Sequence, residues 1–474
     1  MLRSLTPFAL AAIVAAMPAT ADQAEILDPA IRAQAVALME SGLQDDIGLE
    51  FTESLTTEIG PRMAGSDAEW RARQWAMIKL KDLNFQQAYI EDFNIPFWER
   101  VTETASVVGP NPQKLVVTAL GGSKATPKDG LEAEIVRFAS LADLQAAPMD
   151  SLTGKIAFID ERMVRSQDGS RDGAAVAKRG GCSQVAAAIG AVACLIRSVG
   201  ADDHRMPHTG GMRRDGASGA LPAAALSPPD ADQLARLLER GPVTVNLNIQ
   251  VKTSASAASG NVIAEVEGAS LKDEIVLIGC HLDSWDLGTG AIDDAAGCGI
   301  VVAAANLIQQ LPLKPKRTIR VVLYGSEEVG LFGGRAYATA HADELHKHVL
   351  AAESDFGAGR IWRLTSGVGE GALEYVAAMQ GVVAPLGIIL ADNNSTGGPD
   401  IMFLSASGVP VLDPEQDGTD YFDLHHTPDD TFDKIDPAAF RQNVAAYAAL
   451  TYIAAQTDWD FRKAAAPASE DQQE

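Results

Sequence analysis

The chain of 474 residues reads as an α/β protein: a mostly parallel central sheet with helices on both faces, interrupted by an inserted β-rich block. Three observations predict this. From about residue 254 onward, short apolar runs alternate with segments whose apolar residues recur every three to four positions, the pattern of buried strands and amphipathic helices. Composition breaks at GPNPQ (109–113) and TSASAASG (253–260) bracket a stretch of different character. An apolar fraction of 47% supplies core material for more than one domain.

In chain order, residues 1–21 are expected to be a secretory signal peptide: Arg3 precedes an apolar segment from Leu5 to Met17, and Ala19-Thr20-Ala21 has the small-x-small form of a cleavage site. The mature chain is therefore expected to be exported, periplasmic or secreted. Residues 22–108 form the first part of the main domain, helical in AIRAQAVALMESGL and DAEWRARQWAMIKLKDLNF. Residues 109–253 read as a separate module. It has strands in KLVVTAL, EAEIVRF and GKIAFID, a small-residue helix SQVAAAIGAVACLI that runs into a further strand, and the loop ADDHRMPHTGGMRRDGASG. Residues 254–460 return to the main domain, with strands expected at about 274–280, 318–324, 348–353 and 409–412 and helices at about 295–310 and 331–341. PAAFRQNVAAYAALTYIAAQT closes it as a helix, and residues 461–474 are expected to be a disordered tail.

A net charge of −25 argues against nucleic acid or anionic membrane as partner, and after the first segment no run of apolar residues suggests a transmembrane helix. Cys182, Cys194, Cys280 and Cys298 allow three complete disulfide pairings or four buried thiols.

The chemistry-bearing residues follow the ends of the predicted strands, where open α/β sheets collect ligands. His281 and Asp283 follow the first strand of the last segment, and Asp293 and Asp294 open the next helix. Glu327 and Glu328 follow RVVLYGS, Asp355 follows VLAAES, and His425 and His426 come after VPVLD and its loop. Singly, each has an ordinary explanation: a helix cap, a solvated turn, an interior histidine. Together on one sheet edge, so many carboxylates repel unless cations neutralise them, and two divalent ions fit that need. Zinc suits mixed imidazole and carboxylate ligands, and Asp283 is placed to accept the free ring N–H of His281.

In the order HLDS, GAIDDAAG, GSEEVGLFGG, ESDFG, HHTPDDT, these motifs resemble the co-catalytic di-zinc exopeptidases of the aminopeptidase and glutamate carboxypeptidase family, over about residues 261–452. The resemblance implies the zinc-exopeptidase fold, with residues 109–253 as a protease-associated insert. It also implies two zinc ions per chain, one on His281 and Asp355, the other on Glu328 and His426, with Asp293 bridging. Glu327 is then the general base of a zinc-activated water, Asp283 an orienting carboxylate, and Asp294 a support for the helix. His426 is preferred over His425 because it directly precedes Thr427. A branch of the family carries a P-H-T-G segment like that of residues 207–210, which implies that His208 or Arg213 closes the pocket; Asp400 is a further candidate substrate contact.

The expected activity is hydrolysis of dipeptides or short peptides, with aminopeptidase or dipeptidase action preferred over carboxypeptidase action. Small peptides are the expected partners, and a homodimer is a compatible assembly. Two rivals share the fold: a receptor-like member without metals, and a single-zinc glutaminyl cyclase. The filled ligand positions argue against both. The histidines of HADELHKH (341–348) fit an exposed helix better than a further metal site.

Overall fold

The computed structural model describes residues 26–170, 172–212 and 220–464. The expected signal peptide, Arg213 and most of the expected tail lie outside them. Fourteen strands are present among the described residues: β1 Gln87–Val108, β2 Gln113–Leu115, β3 Val117–Ala119, β4 Leu131–Phe138, β5 Ile156–Ile159, β6 Ala193–Arg197, β7 Ala223–Leu226, β8 Thr244–Val266, β9 Leu271–His281, β10 Arg317–Tyr324, β11 His348–Glu353, β12 Ile361–Gly367, β13 Ile389–Leu390 and β14 Val411–Gln416.

The main sheet runs β13-β12-β14-β11-β9-β10-β8. Its centre, β10-β9-β11-β14, is parallel, while β8 and β12 attach antiparallel. Period-2 alternation along β9 explains why the sequence here is one apolar run. Ile275 and Leu277 face a core shared with Tyr337 and Leu404, whereas Val276, Ile278 and Cys280 face a second core shared with Ile300, Phe440 and Val444. The second face is covered by the helices Ala296–Gln309 and Pro437–Gln456, on which the N-terminal helices Pro29–Gly42 and Ile47–Ser54 pack. The helices Phe332–Ala340 and Met402–Ala406 cover the first. Ala291–Gln309 is long and apolar enough to cross a membrane, but it is buried inside the protein.

TSASAASG is not a break. β1 and β8 form one long antiparallel ribbon, paired from Gln87↔Glu265 to Val108↔Thr244, and residues 253–260 lie inside it. Much of that stretch is exposed, so no face selects apolar side chains and small polar residues resemble a linker. The ribbon enters the main sheet at one end of β8, beside β10, and at the other end pairs with β4. From β4 the sheet continues as parallel β4-β5-β6-β7 and ends in antiparallel β3. A separate core fills this region with Ile135, Phe158, Leu195, Leu226 and Leu247.

Two smaller expectations are also corrected. The small-residue helix starts earlier, at Asp172, and ends at Ala188, so the second half of SQVAAAIGAVACLI is turn and β6. The expected tail does not begin at 461: Phe461 is buried, and Arg462 donates to the carbonyls of Leu345 and His348.

Candidate metal centre

The parallel strands end on one edge, and each brings a side chain to the same place. His281 is the last residue of β9, Glu327 and Glu328 follow β10, and Asp355 follows β11. Asp293 sits in the turn before Ala296–Gln309, and His425 and His426 follow the short helix Tyr421–Leu424. His281 Nε2 lies 3.0 Å from Asp293 Oδ1 and 3.3 Å from Asp355 Oδ1. His426 Nε2 lies 3.1 Å from Asp293 Oδ2 and 2.9 Å from Glu328 Oε2. Asp293 thus stands between two imidazole–carboxylate sets, one on each of its oxygens.

The electrostatics are those of a site short of positive charge. Burial would lower the His281 pKa, but the carboxylates of Asp355 and Asp293 outweigh it and hold it well above the usual value. Burial would raise Asp293, but His281 and His426 keep it well below the ordinary carboxylate range. Burial and then the charge of Asp293 push Glu328 well up; burial, with Asp355 and Glu328 beside it, does the same to Glu327. Asp355 is raised by burial, against the pull of His281.

The donor set fits divalent cations. Ligand atoms of His281, Asp293 and Asp355 lie within 4.8 Å of one another, as do those of Asp293, His425 and His426. Asp293 Oδ2 makes no well-formed hydrogen bond among the described residues despite its burial, which leaves a lone pair for a metal. His425 Nε2 is 3.5 Å from that oxygen, farther than His426, and among the described residues it forms no ion pair with Glu328, so the geometry favours His426. Oxygen and nitrogen ligands of this kind suit zinc.

Supporting contacts differ in part from the sequence expectation. The His281 Nδ1–H is held by the backbone carbonyl of Asp283 at 3.0 Å, while the Asp283 carboxylate stands 3.8 Å away. That carboxylate instead accepts the backbone N–H of Glu327 at 3.0 Å, so the Asp283 carbonyl steadies His281 and its carboxylate steadies Glu327. Asp294 behaves as expected: Oδ1 accepts from Gly297 N and Oδ2 from His281 N, tying helix start to strand end. Cys280–Cys298 bridges the same two elements, and Cys182–Cys194 joins Asp172–Ala188 to β6.

His208 and Asp400 are not among the residues that line the cavity beside these groups. His208 is 1% exposed, with Nδ1 bonded to the carbonyl of His425 and Nε2 to Asp202, each at 2.7 Å. Asp400 is fully buried, and its Oδ1 accepts from Gly334 N. The backbone next to His208 does reach the site: Thr209 N donates to His426 O, and Thr209 O lies 3.3 Å from His426 Nδ1. Gly211 and Met212 line a cavity of about 1030 Å³ together with Asp293, Glu327, Glu328, Asp355, His425 and His426.

Residues 261–451 match the profile of peptidase family M28. Mouse carboxypeptidase Q is 32% identical over 405 residues, 85% of this chain and 84% of that protein. The chain belongs to peptidase family M28. A solved M28 peptidase precursor from Shewanella amazonensis is 49% identical, with a TM-score of 0.90 over 92% of this chain and 99% of that one. The zinc aminopeptidase BSAP of Bacillus subtilis shares the fold at 22% identity, with a TM-score of 0.64 over 87% and 95%.

Within this M28 site, sequence reasoning missed three residues that hold the loops in place. Arg62 is fully buried and donates to the carbonyls of Leu282, Thr289 and Gly290 at 2.5, 2.6 and 2.9 Å. Its guanidinium also faces Asp430, Asp283, Asp294 and Asp293, which oppose the lowering of its pKa by burial. Asp430 accepts from the N–H groups of Ala291 and Ile292 at 2.7 and 2.6 Å, and burial pushes its pKa up to about 7. Trp285 N donates to Glu328 Oε1 at 3.2 Å. HHTPDDT already contained Asp430, but nothing in GPRMAG marks Arg62, whose partners lie more than two hundred positions away.

Proposed function

We propose that this chain is an exported di-zinc exopeptidase that hydrolyses dipeptides or short peptides. The observation that carries the reading is the placement of Asp293, with His281 and Asp355 at one oxygen and His426 and Glu328 at the other. One zinc is assigned to His281, Asp355 and Asp293, the second to Glu328, His426 and Asp293. When bound, zinc supplies Lewis acidity toward the scissile carbonyl and toward water.

The protein's own groups do the rest. Glu327 lines the cavity beside the proposed ligands, where its carboxylate can accept a proton from the attacking water and return it to the departing amine nitrogen. Asp283 fixes the Glu327 backbone, and Arg62 and Asp430 fix the loop between His281 and Asp293. Val329, Phe332, Met212 and Phe422 add apolar wall to the same cavity. Residues 1–21 are assigned as a signal peptide cut near Ala21, in keeping with two disulfides, and residues 109–253 as a protease-associated insert.

The test is a panel of free and end-blocked dipeptides with purified protein, with and without chelator, and with Glu327→Gln. Glu327→Gln is expected to keep about two zinc ions per chain while turnover falls by roughly two to four powers of ten. Undiminished turnover would remove Glu327 from its role, and absence of stoichiometric metal in folded protein would remove the whole reading. Blocking each terminus in turn decides between aminopeptidase and carboxypeptidase action.

A further inference from the structure

The helix Ala296–Gln309 starts beside Asp293 and runs about 20 Å to the opposite edge of the main sheet, where β8 ends next to the start of β10. Its buried residues are alanine, glycine, valine, isoleucine, the disulfide-bonded Cys298 and one polar residue, Asn306. Asn306 is 1% exposed, so bulk solvent does not satisfy its amide. Its Oδ1 accepts from Gln309 Nε2 at 2.8 Å, whereas its Nδ2 meets no acceptor among the described residues. A buried amide donor without a partner is destabilising, and an acceptor brought by a ligand removes that penalty.

Asn306 lines a cavity of about 270 Å³ that shares no lining residue with the cavity at the metal edge. Four further carboxamides border it, those of Asn84, Gln86, Gln309 and Gln310. Gln309 also donates to Leu83 O at 2.7 Å, which ties this helix to the turn after the helix Asp67–Asp82. Charges at the border are already matched: Glu265 pairs with Arg320 at 2.7 Å and Glu267 with Lys314 at 3.3 Å. The volume is roughly nine times the ~30 Å³ share of one water and stands at the small end of ligand sites.

We propose that this cavity binds a small neutral polyhydroxylated ligand, a single sugar ring or a polyol of that size. Each carboxamide offers two donors and an acceptor in a fixed plane, and a hydroxyl is a ligand group that answers both. The matched border charges favour neither an anion nor a cation. Asn306 Nδ2 takes a hydroxyl oxygen at the buried end, and the exposed Gln86 and Gln310 serve the outer hydroxyls. The assignment stands apart from the peptidase reading, since none of these residues belongs to the metal edge.

The test measures binding of glucose, galactose and glycerol, with glycine as a zwitterionic control, to the zinc-loaded protein by ligand-detected NMR titration. At least one of the three polyhydroxylated probes is expected to bind, and glycine is not. Asn306→Leu is expected to weaken that binding about tenfold and Gln310→Ala about threefold, the scale of neutral hydrogen bonds. Dipeptide turnover is expected to stay unchanged in both variants. Should Asn306→Leu fail to fold, Gln310→Ala and Gln86→Ala at the exposed rim carry the same measurement. The site is overturned if none of the three probes binds wild type, if glycine binds in their place, or if every variant binds as wild type does. Loss of turnover in step with loss of binding would move the ligand to the metal edge and overturn it as well.

Discussion

Asp293 gives one carboxylate oxygen to each side of the site, and the two adjacent histidines compete for the second oxygen. Their rings stack 3.4 Å apart, yet His426 also meets Glu328, and its Nδ1 lies against Thr209 O, which leaves Nε2 turned to Asp293 and Glu328. Replacing His426 by Ala is therefore expected to reduce bound zinc from about two to about one per chain, while His425→Ala keeps two; elemental analysis after dialysis decides. The reverse result would exchange their roles. These candidate ligands could be picked out because each belongs to a local motif: His281, Glu328 and Asp355 lie at or just past the end of an apolar strand, while Asp293 and His426 adjoin helices. The exchange of roles at Asp283 was not legible, since HLD does not reveal whether backbone or carboxylate meets the imidazole. His208 misled for a related reason: its neighbour Thr209 touches His426, and a motif does not say which of its residues makes the contact.

Among the strands, β11 carries a titrating group remote from the chemistry. Arg320 donates to Tyr337 Oη at 2.8 Å, so the Tyr337 hydroxyl must donate onward to His348 Nε2, also at 2.8 Å. His348 Nδ1–H then meets the carbonyl of Glu344 at 3.1 Å, which makes the imidazole neutral. Burial lowers its pKa to about 4 from 6.5. Between those values the unfolded chain binds a proton that the folded chain refuses, so this contribution is complete above pH 6.5 and is lost as pH falls toward 4. About 3 kcal/mol is the scale of the effect. Urea denaturation of wild type and His348→Gln at pH 7 and pH 5 measures it, and an equal loss on acidification in both proteins would exclude His348 as the cause. HADELHKH reads as an exposed helix because its charges dominate the pattern. In the structure only His346 of its three histidines is exposed; His348 is buried, and His341 meets Glu91 and Glu344 at 3.0 and 2.6 Å. The parallel strands, whose both faces are covered, were readable to within a few residues; the middle of the β1–β8 ribbon was not, because around residues 252–258 neither face of β8 is buried and no period is left in the sequence.

Across the molecule, the module carried by the ribbon is pressed against the metal edge. Arg100 of β1 binds Asp286 at 2.8 Å and Thr118 at 2.6 Å, and Trp98 packs edge-on against Trp285 at 6.5 Å. Gly121 lies under the Trp285 ring, where a Cβ would overlap the indole. Gly121→Val is accordingly expected to lower stability by about 1–3 kcal/mol by calorimetry and, through the Trp285 contact to Glu328, to reduce turnover as well. Unaltered stability and activity would mean that the module does not brace the site.

The pairing of Gln87 with Glu265 has a kinetic consequence. A large loop must close before the first rungs of the ribbon can form, and strand pairs so distant in sequence make folding slow. The chain is thus expected to acquire its helices early and its peptide-cutting ability last, with recovery of activity after dilution from denaturant lagging behind recovery of the far-ultraviolet helical signal.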